Sequence, residues 1–364
     1  MCILLLSTAH PKYPLVLLSN RDEYLNRPTQ AAHFWGFPES DVLGPQDLAR
    51  AEHGTWIGIS KTGRLAILVN YREQSKPEQI SPTSRGLLVK HFLLARESTA
   101  EWIENAIDDA GPEGLASVGG FSMVCGVLRR RSKDCIMHYP ADAVVSETRL
   151  QPLGVLTNRS LSLHDGTSWI FDPERSPNPT ITTDEENPAR TNTFGISNSL
   201  YTEPWPKVRR GCDLLAACIQ SDVKLGSADE DKFIEELFKV LSTDELPREE
   251  EALSVTKNVF DQLKQSIKIP VFSVVDGLLP DISSDCDLTL STGETSTADS
   301  WIPNHDTATS TGLYTFVKGK YYGTRTQTVI LVTNEGHVKY VERNIDGSCA
   351  GNQQISEFDI DGWI

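Results

Sequence analysis

Two apolar runs near the beginning of the chain predict a β-hairpin. Residues 2–8 and 13–20 are rich in Ile, Leu and Val, and the segment 10–12 between them carries a turn signal. With the turn centred near residue 11, the numbers of paired residues add up to about 22. Cys2 is therefore predicted to lie opposite the segment 20–23, which reads Asn-Arg-Asp-Glu.

Two more hairpins follow from the same alternation of apolar and polar positions. In each, two β-rich runs flank a turn that contains Gly. The pairs of runs are 55–60 with 64–69, and 326–333 with 337–343. Asn70 stands where the first of these hairpins ends, and Arg325 stands at the mouth of the second.

Helical periodicity marks the middle of the chain. Ser84 is a candidate N-cap for a helix through Ala95, and apolar residues recur at helical spacing in several later segments. The predicted helices are 84–95, 98–109, 205–219, 228–242 and 249–266, and the predicted strands between them are 121–128, 134–138 and 193–198.

Two polar stretches interrupt this pattern. Residues 171–193 are rich in Pro, Thr, Asn and Asp, and residues 281–312 in Ser, Thr, Asp and Gly. We interpret both as loops inserted into one domain that spans 1–364. Strands come first, helices dominate the middle and strands return at the end. This order predicts layered sheets covered by helices.

Composition narrows the function classes. The net charge is −16, from 50 acidic and 34 basic residues, which argues against a nucleic-acid partner. No segment approaches the roughly 20 apolar residues of a membrane-spanning helix. The seven cysteines form no CxxC pair and no set with zinc spacing, so no metal site is predicted and reduced thiols in the cytoplasm are expected.

Cys2 is the candidate nucleophile. A small second residue permits removal of the initiator Met, after which Cys2 carries both a thiol and a free α-amine. An α-amine titrates near ~7.7–8.0 and can accept the thiol proton at neutral pH. Such a residue needs no partner histidine and no cofactor.

Other residues supply the remaining needs of acyl transfer. Arg21 favours a thiolate, Asp22 orients the amine, Asn70 and Asn198 donate to an oxyanion, and Arg325 supports the thiolate or a substrate carboxylate. Structural interpretations stand beside these roles. Arg21 and Asp22 could close a hairpin as an ion pair, and each Asn could satisfy turn backbone. Residues 20 and 23 are first assigned capping or turn roles.

The motifs resemble one family. The run LLSNRDEYLNRP carries the signature of the NRDE, or transport-and-Golgi-organisation, family. Further matches follow in the same order: MCILLL, GTWIGISKTGRLAILVNYR, GISNSLYTEPWPKV and YYGTRTQTVIL. The family in turn resembles N-terminal nucleophile hydrolases, which implies an α+β fold, a four-layer αββα sandwich. In those enzymes a terminal Cys, an Arg and Asp after the second strand, two Asn and a later Arg form the site.

Carried onto this chain, the resemblance marks Cys2, Arg21, Asp22, Asn70, Asn198 and Arg325. For function it implies intracellular work in haem trafficking and in lipid or acyl-CoA balance, linked to the Golgi or mitochondria. Two hypotheses therefore stand. One is a carrier that binds an apolar, acid-bearing small molecule reversibly, such as haem or acyl-CoA. The other is a cysteine amidohydrolase or thioesterase that uses Cys2.

Overall fold

The computed structural model describes residues 1–72, 84–108, 115, 118–130, 150–159, 167–172, 188–246, 262–274, 320–345 and 353–363. Its strands are β1 (Ile3–Ser7), β2 (Leu15–Tyr24), β3 (Thr29–Phe34), β4 (Val42–Asp47), β5 (Ile57–Ser60), β6 (Arg64–Asn70), β7 (Phe121–Val127), β8 (Leu153–Thr157), β9 (Thr167–Ile170), β10 (Thr193–Ser197), β11 (Phe272–Val274), β12 (Lys320–Val332), β13 (His337–Asn344) and β14 (Gln353–Asp359). Its helices are α1 (Arg85–Leu94), α2 (Thr99–Asp108), α3 (Pro188–Thr191), α4 (Pro206–Lys224) and α5 (Glu230–Leu241).

Two antiparallel sheets form the centre of the molecule. The first runs in the order β10-β1-β2-β12-β13-β14, with β11 also paired to β12. The second is a meander in chain order from β3 to β9. One apolar core joins the inner faces of the two sheets, with Leu4 and Leu17 from the first sheet and Ile57 and Ile67 from the second. The sheets are therefore stacked face to face.

Helices cover the outer faces of both sheets. A second core packs α4 and α5 on the first sheet through Leu5, Val208 and Leu237. A third packs α1 and α2 on the second sheet, with Phe92 and Trp102 edge to face. The order is helix, sheet, sheet, helix, so the predicted α+β fold with four αββα layers is confirmed.

The predicted hairpins are confirmed, with one shift in register. Ile3 pairs with Asn20, so partner numbers in the first hairpin add up to 23 instead of about 22. Asn70 ends β6 as expected. Arg21 and Asp22 were predicted to follow the second strand, and this is wrong: they lie inside β2, because Thr326 and Thr324 of β12 pair with them.

The helix predictions are confirmed except at their limits. The helix predicted at 205–219 continues to Lys224, while 84–95, 98–109 and 228–242 match to within two residues. The loop predicted at 171–193 is wrong at α3, where Ala189 is buried and Arg190 pairs with Asp213 at 2.7 Å. Segments 134–138 and 281–312 lie outside the described residues, as does most of 249–266.

Glu342 is a buried carboxyl on the inner face of β13. It accepts a hydrogen bond from the Ala32 backbone N–H at 2.9 Å and one from the Tyr340 hydroxyl at 3.4 Å. Burial raises the pKa of this carboxyl from its ordinary 4.5 to about 7. Between these two values the folded protein keeps a proton that the unfolded chain has lost. The free energy of unfolding therefore falls as the pH rises through this window.

Glu342→Gln tests this linkage, because it keeps the shape and one acceptor oxygen but removes the charge. At pH 8 we expect the variant to be more stable than the parent by about 2–3 kcal/mol, since each pKa unit corresponds to about 1.4 kcal/mol. At pH 5 the difference should be small. Urea denaturation at both pH values measures it, and a difference that does not change with pH would contradict the raised pKa.

Candidate functional site

A small polar cleft lies between the two sheets, at the end where β1 begins. Its described part has a cavity volume of about 80 Å³. Side chains and backbone from both sheets and from α1 line it. They are Met1, Cys2, Arg21, Asp22, Glu23, Arg27, Asp47, Gly54, Thr55, Trp56, Leu68, Asn70, Ser84, Arg85, Gly86, Asn198 and Tyr322. Five of the six predicted site residues are among them.

Cys2 sits immediately before β1 and is held by backbone contacts. Its carbonyl oxygen accepts a hydrogen bond from the Ser197 hydroxyl at 2.6 Å. Its Sγ lies 3.8 Å from the carbonyl oxygen of Asp22. Burial raises the pKa of the thiol, while the N-terminal ammonium and Arg21 act to lower it. The thiol therefore needs a base to become a nucleophile.

The α-amine of Met1 occupies the same site. Met1 is only 2% exposed, and its ammonium lies 3.2 Å from Asp22 Oδ2 and contacts the Tyr322 hydroxyl. Burial lowers the pKa of this amine, and the Asp22 carboxylate partly opposes the shift. Lys207 Nζ donates to the Met1 carbonyl oxygen. Both polar ends of the Met1 backbone are therefore held.

Arg21 is buried against an aromatic ring. Its guanidinium carbon lies 4.1 Å from the centre of the Trp56 ring, and its Nη2 lies 3.7 Å from Glu23 Oε2. The side chain is 6% exposed, yet its Nη1 has no hydrogen-bond partner among the described residues. A cation held this way can act on a charge that develops in the cleft.

The two asparagines meet, as their predicted shared role requires. Asn198 Nδ2 donates to the backbone carbonyl oxygen of Asn70 at 2.6 Å. Asn198 directly follows β10 and Asn70 ends β6, so this bond also links the two sheets at the cleft. Both residues line the cleft, and their role as oxyanion donors stays a prediction.

Arg325 is the one predicted residue that does not line the described part of the cleft. It lies where the register of β12 shifts, between Thr324 and Thr326. Its Nη1 donates to the backbone carbonyl oxygens of Tyr24 at 3.3 Å and Arg27 at 2.6 Å. Burial lowers the pKa of Arg21, and the charge of Arg325 lowers it further. The structure therefore places Arg325 near Arg21, bonded to the backbone that follows β2.

The sequence did not predict three residues that make contacts in the site. Lys207 and Tyr322 hold Met1, and Trp56 carries Arg21. All three lie in sequence runs that carry the family resemblance, and this was the available signal. The structural assignment of Asn20 is supported, because its Nδ2 donates to the carbonyl oxygens of Leu241 and Ile267.

One wall of the cleft is backbone packed against backbone. Thr55 N–H donates to the Gly86 carbonyl oxygen at 3.2 Å. A Cβ on Gly86 would lie 2.9 Å from the Thr55 nitrogen, and one on Gly54 would lie 2.8 Å from the Gly86 carbonyl carbon. Only glycine allows this approach between α1 and the segment before β5.

Gly86→Ala is expected to destabilise the protein by about 1–3 kcal/mol, because the new methyl group must push backbone apart. Gly36→Ala is the matched control, since nothing lies within 4 Å of the Cβ it would add. Chemical denaturation of both variants measures the difference. Equal stability of the two variants would contradict the close approach.

Comparison with known proteins identifies the family. The family model described as Transport and Golgi organisation 2 matches residues 1–347. The chain belongs to this family. An uncharacterized protein of Saccharomyces cerevisiae, YGR127W, is 26% identical over 351 residues, which cover 94% of this chain and 91% of that protein. The Transport and Golgi organization 2 homolog of Mus musculus is 25% identical over 334 residues, 92% of this chain and 87% of that one.

Solved structures with a similar arrangement include a C2A mutant of conjugated bile acid hydrolase from Clostridium perfringens. It is 12% identical, with a TM-score of 0.38, and the match covers 99% of this chain and 92% of that chain. A Caenorhabditis elegans ortholog of N-acylethanolamine-hydrolyzing acid amidase is 11% identical, with a TM-score of 0.35 and coverage of 73% and 98%. The four-layer fold of this family member rests on its own strand pairing and core packing.

Two kinds of feature are absent from the described part of the chain. Within the described ranges, no group of three or more His, Cys, Asp or Glu side chains is placed to hold a metal ion. In the same part of the chain, no helix has the length and apolar character needed to cross a membrane.

Proposed function

We propose that this member of the Transport and Golgi organisation 2 family, once Met1 has been removed, hydrolyses C–N amide bonds of small acylated molecules with Cys2 as the nucleophile. The observation that carries the proposal is the meeting of the Cys2 thiol, the N-terminal amine and the Asp22 carboxylate in one cleft. Removal of Met1 moves the free amine one residue along the chain, a step of about 3.8 Å between Cα atoms.

The reaction then proceeds in two balanced halves. The neutral α-amine of Cys2 accepts the thiol proton, and the sulfur attacks the substrate carbonyl carbon to form a C–S bond. The C–N bond breaks, and the leaving amine takes the proton back from the α-ammonium. Water, deprotonated by the same amine, then attacks the thioester carbonyl carbon. The C–S bond breaks, the acid leaves, and the sulfur takes the proton back from the ammonium. No cofactor enters either half.

The surrounding charges serve this sequence of proton transfers. Burial lowers the pKa of the Met1 amine. We expect the Cys2 amine that replaces it in the same cleft to be held in the neutral form that acts as a base. Asp22 Oδ2 lies 3.2 Å from the Met1 ammonium, and we assign Asp22 the role of orienting the Cys2 ammonium once that group forms. The unpartnered Nη1 of Arg21 can stabilise the thiolate or the oxyanion.

The size of the cleft favours a small acyl group over a large apolar ligand. Pockets for drug-sized ligands measure about 300–1,000 Å³, whereas the described cavity is about 80 Å³. With Met1 in place, this cavity is smaller than a haem or a whole acyl-CoA requires. Reversible binding of either, and a role in haem trafficking or lipid balance linked to the Golgi or mitochondria, stay predictions from the family resemblance.

The proposal is tested with two forms of the protein, one with Met1 and one beginning at Cys2. Cleavage of an N-terminal fusion directly before Cys2 gives the second form, and intact mass verifies both. Each form is incubated with a panel of chromogenic acyl and aminoacyl anilides. Hydrolysis by the Met1-free form alone, with a mass increase of one acyl group on Cys2, is expected. Hydrolysis that does not depend on Met1 removal, or no hydrolysis by either form, would overturn the proposal.

A further inference from the structure

Met1 fills a closed pocket of its own beside the cleft. Its side chain packs in a small apolar cluster that is separate from the three cores between and outside the sheets. The buried members around it are Tyr24, Leu263, Ile269, Phe272 and Tyr322. They come from β2, β11, β12 and the segment before β11. The pocket therefore belongs to the fold and is not a surface groove that a chain terminus happens to cover.

Polar groups are placed at both ends of the Met1 backbone. Asp22 and the Tyr322 hydroxyl contact its ammonium, and the Tyr322 hydroxyl also donates to the Asp22 carbonyl oxygen at 3.1 Å. Lys207 Nζ donates to its carbonyl oxygen. An ammonium, an apolar side chain and a carbonyl are thus each met by a matching group.

Removal of Met1 takes away the hydrogen-bond acceptor of Lys207. The residue is 0% exposed, and among the described residues its Nζ has one hydrogen-bond acceptor, the Met1 carbonyl oxygen. A buried ammonium without an acceptor is strongly unfavourable. Once Met1 is gone, the site therefore favours a ligand that returns a carbonyl or carboxylate oxygen to Lys207 and an apolar chain to the pocket.

The pocket is also correctly placed for the chemistry of Cys2. The Met1 carbonyl carbon is bonded to the Cys2 nitrogen, which is three covalent bonds from Sγ. A substrate carbonyl next to that position, outside bonding distance of the freed Cys2 nitrogen, lies beside the nucleophile. The oxygen that becomes negative during attack then faces Lys207, which can donate to it.

We infer that the space filled by Met1 is the acyl subsite, built for an α-aminoacyl group with an unbranched apolar side chain. This inference rests on the proposed function, because it names the substrate class of the same site. The side chain of Met is unbranched and flexible, and a linear chain of about six heavy atoms counted from the carbonyl carbon has the same reach. A β-branched side chain carries a second heavy atom on Cβ that Met lacks and is restricted at χ1, so we expect it to fit the space that Met1 leaves less well.

The experiment measures binding of L-methionine, the expected product, which cannot be turned over. Calorimetry with the Met1-free protein should detect binding, at least tenfold tighter than that of hexanoate, which lacks the ammonium, or of L-valine, which is β-branched. The protein that keeps Met1 should bind none of the three. Lys207→Met in the Met1-free protein should weaken methionine binding at least tenfold. The comparison of the two unmutated forms keeps the test valid if that variant does not fold.

Equal binding to both forms, no binding to the Met1-free form, or hexanoate as tight as methionine would each overturn the inference. Hydrolysis of L-methionine p-nitroanilide and hexanoyl p-nitroanilide separates this inference from the proposed function. Methionine binding without hydrolysis of any anilide would support the subsite and contradict the proposed hydrolase activity. Hydrolysis of anilides without methionine binding would support the hydrolase activity and contradict the proposed subsite.

Discussion

Cys2→Ala in the Met1-free protein is expected to reduce the rate of amide hydrolysis by at least about 10⁴-fold. Removal of the nucleophile from other covalent hydrolases costs this much or more, because the remaining groups cannot replace the covalent step. Here the substitution removes the sulfur and leaves the α-amine, Asp22 and Arg21 in place. The acyl-enzyme should vanish from the intact mass together with turnover.

Cys218→Ala is the matched control for this substitution. Cys218 is a partly buried thiol on α4 that does not line the cleft. Its loss is expected to leave kcat and KM unchanged. Residual hydrolysis by Cys2→Ala at more than a hundredth of the parental rate would contradict the role of Cys2, and so would an equal loss in Cys218→Ala.

Asp22→Asn is expected to reduce kcat about 10²-fold, the lower range of what a positioned acid or base contributes. Asp22 Oδ1 accepts from the Thr324 hydroxyl at 2.5 Å, and its Oδ2 faces the N-terminal ammonium at 3.2 Å. The amide keeps the shape but removes the negative charge. The α-ammonium that forms during attack then has a weaker partner in a buried site.

The pH profile separates this role from a structural one. Burial lowers the pKa of the Met1 amine, and Asp22 opposes this shift. We expect Asp22 to act in the same direction on the Cys2 amine of the Met1-free protein, so its loss should lower that pKa. The rate of a reaction that needs the neutral amine rises with pH through that pKa. In Asp22→Asn this rise should therefore occur at lower pH than in the parent. Asp213→Asn, which removes an exposed partner of Arg190, should change neither kcat nor the profile. A pH–rate profile of Asp22→Asn that matches that of the parent would contradict the role assigned to Asp22.

The sequence predicted those helices and hairpins whose signals lie within one short segment of the chain. The first hairpin combines two apolar runs with a turn, and the helix beginning after Ser84 combines a cap position with an apolar face. In each case the residues that carry the signal lie within one short segment of the chain. The edge strands β3 and β14 carried no such signal, because each alternates weakly and gains its partner only in the folded sheet.

The site was predictable in its composition and not in its contacts. Motifs pointed to Cys2, Arg21, Asp22 and both asparagines, and the cleft contains all five. The partners of Met1 could not be found this way, because Lys207 and Tyr322 are more than 200 residues away in the chain. The extension of β2 through Asp22 likewise depends on β12, which follows about 300 residues later.

The glycine contact at the cleft limits which substitutions can change what the cleft binds. Selection acts on side chains, and the wall formed by Gly54, Thr55 and Gly86 presents mainly backbone that admits no larger residue at either glycine. Adaptation to another substrate must therefore accumulate elsewhere in the lining, above all around the pocket of Met1. Substitutions at Leu263 and Phe272 can change the size of that pocket while they leave the glycine wall unchanged.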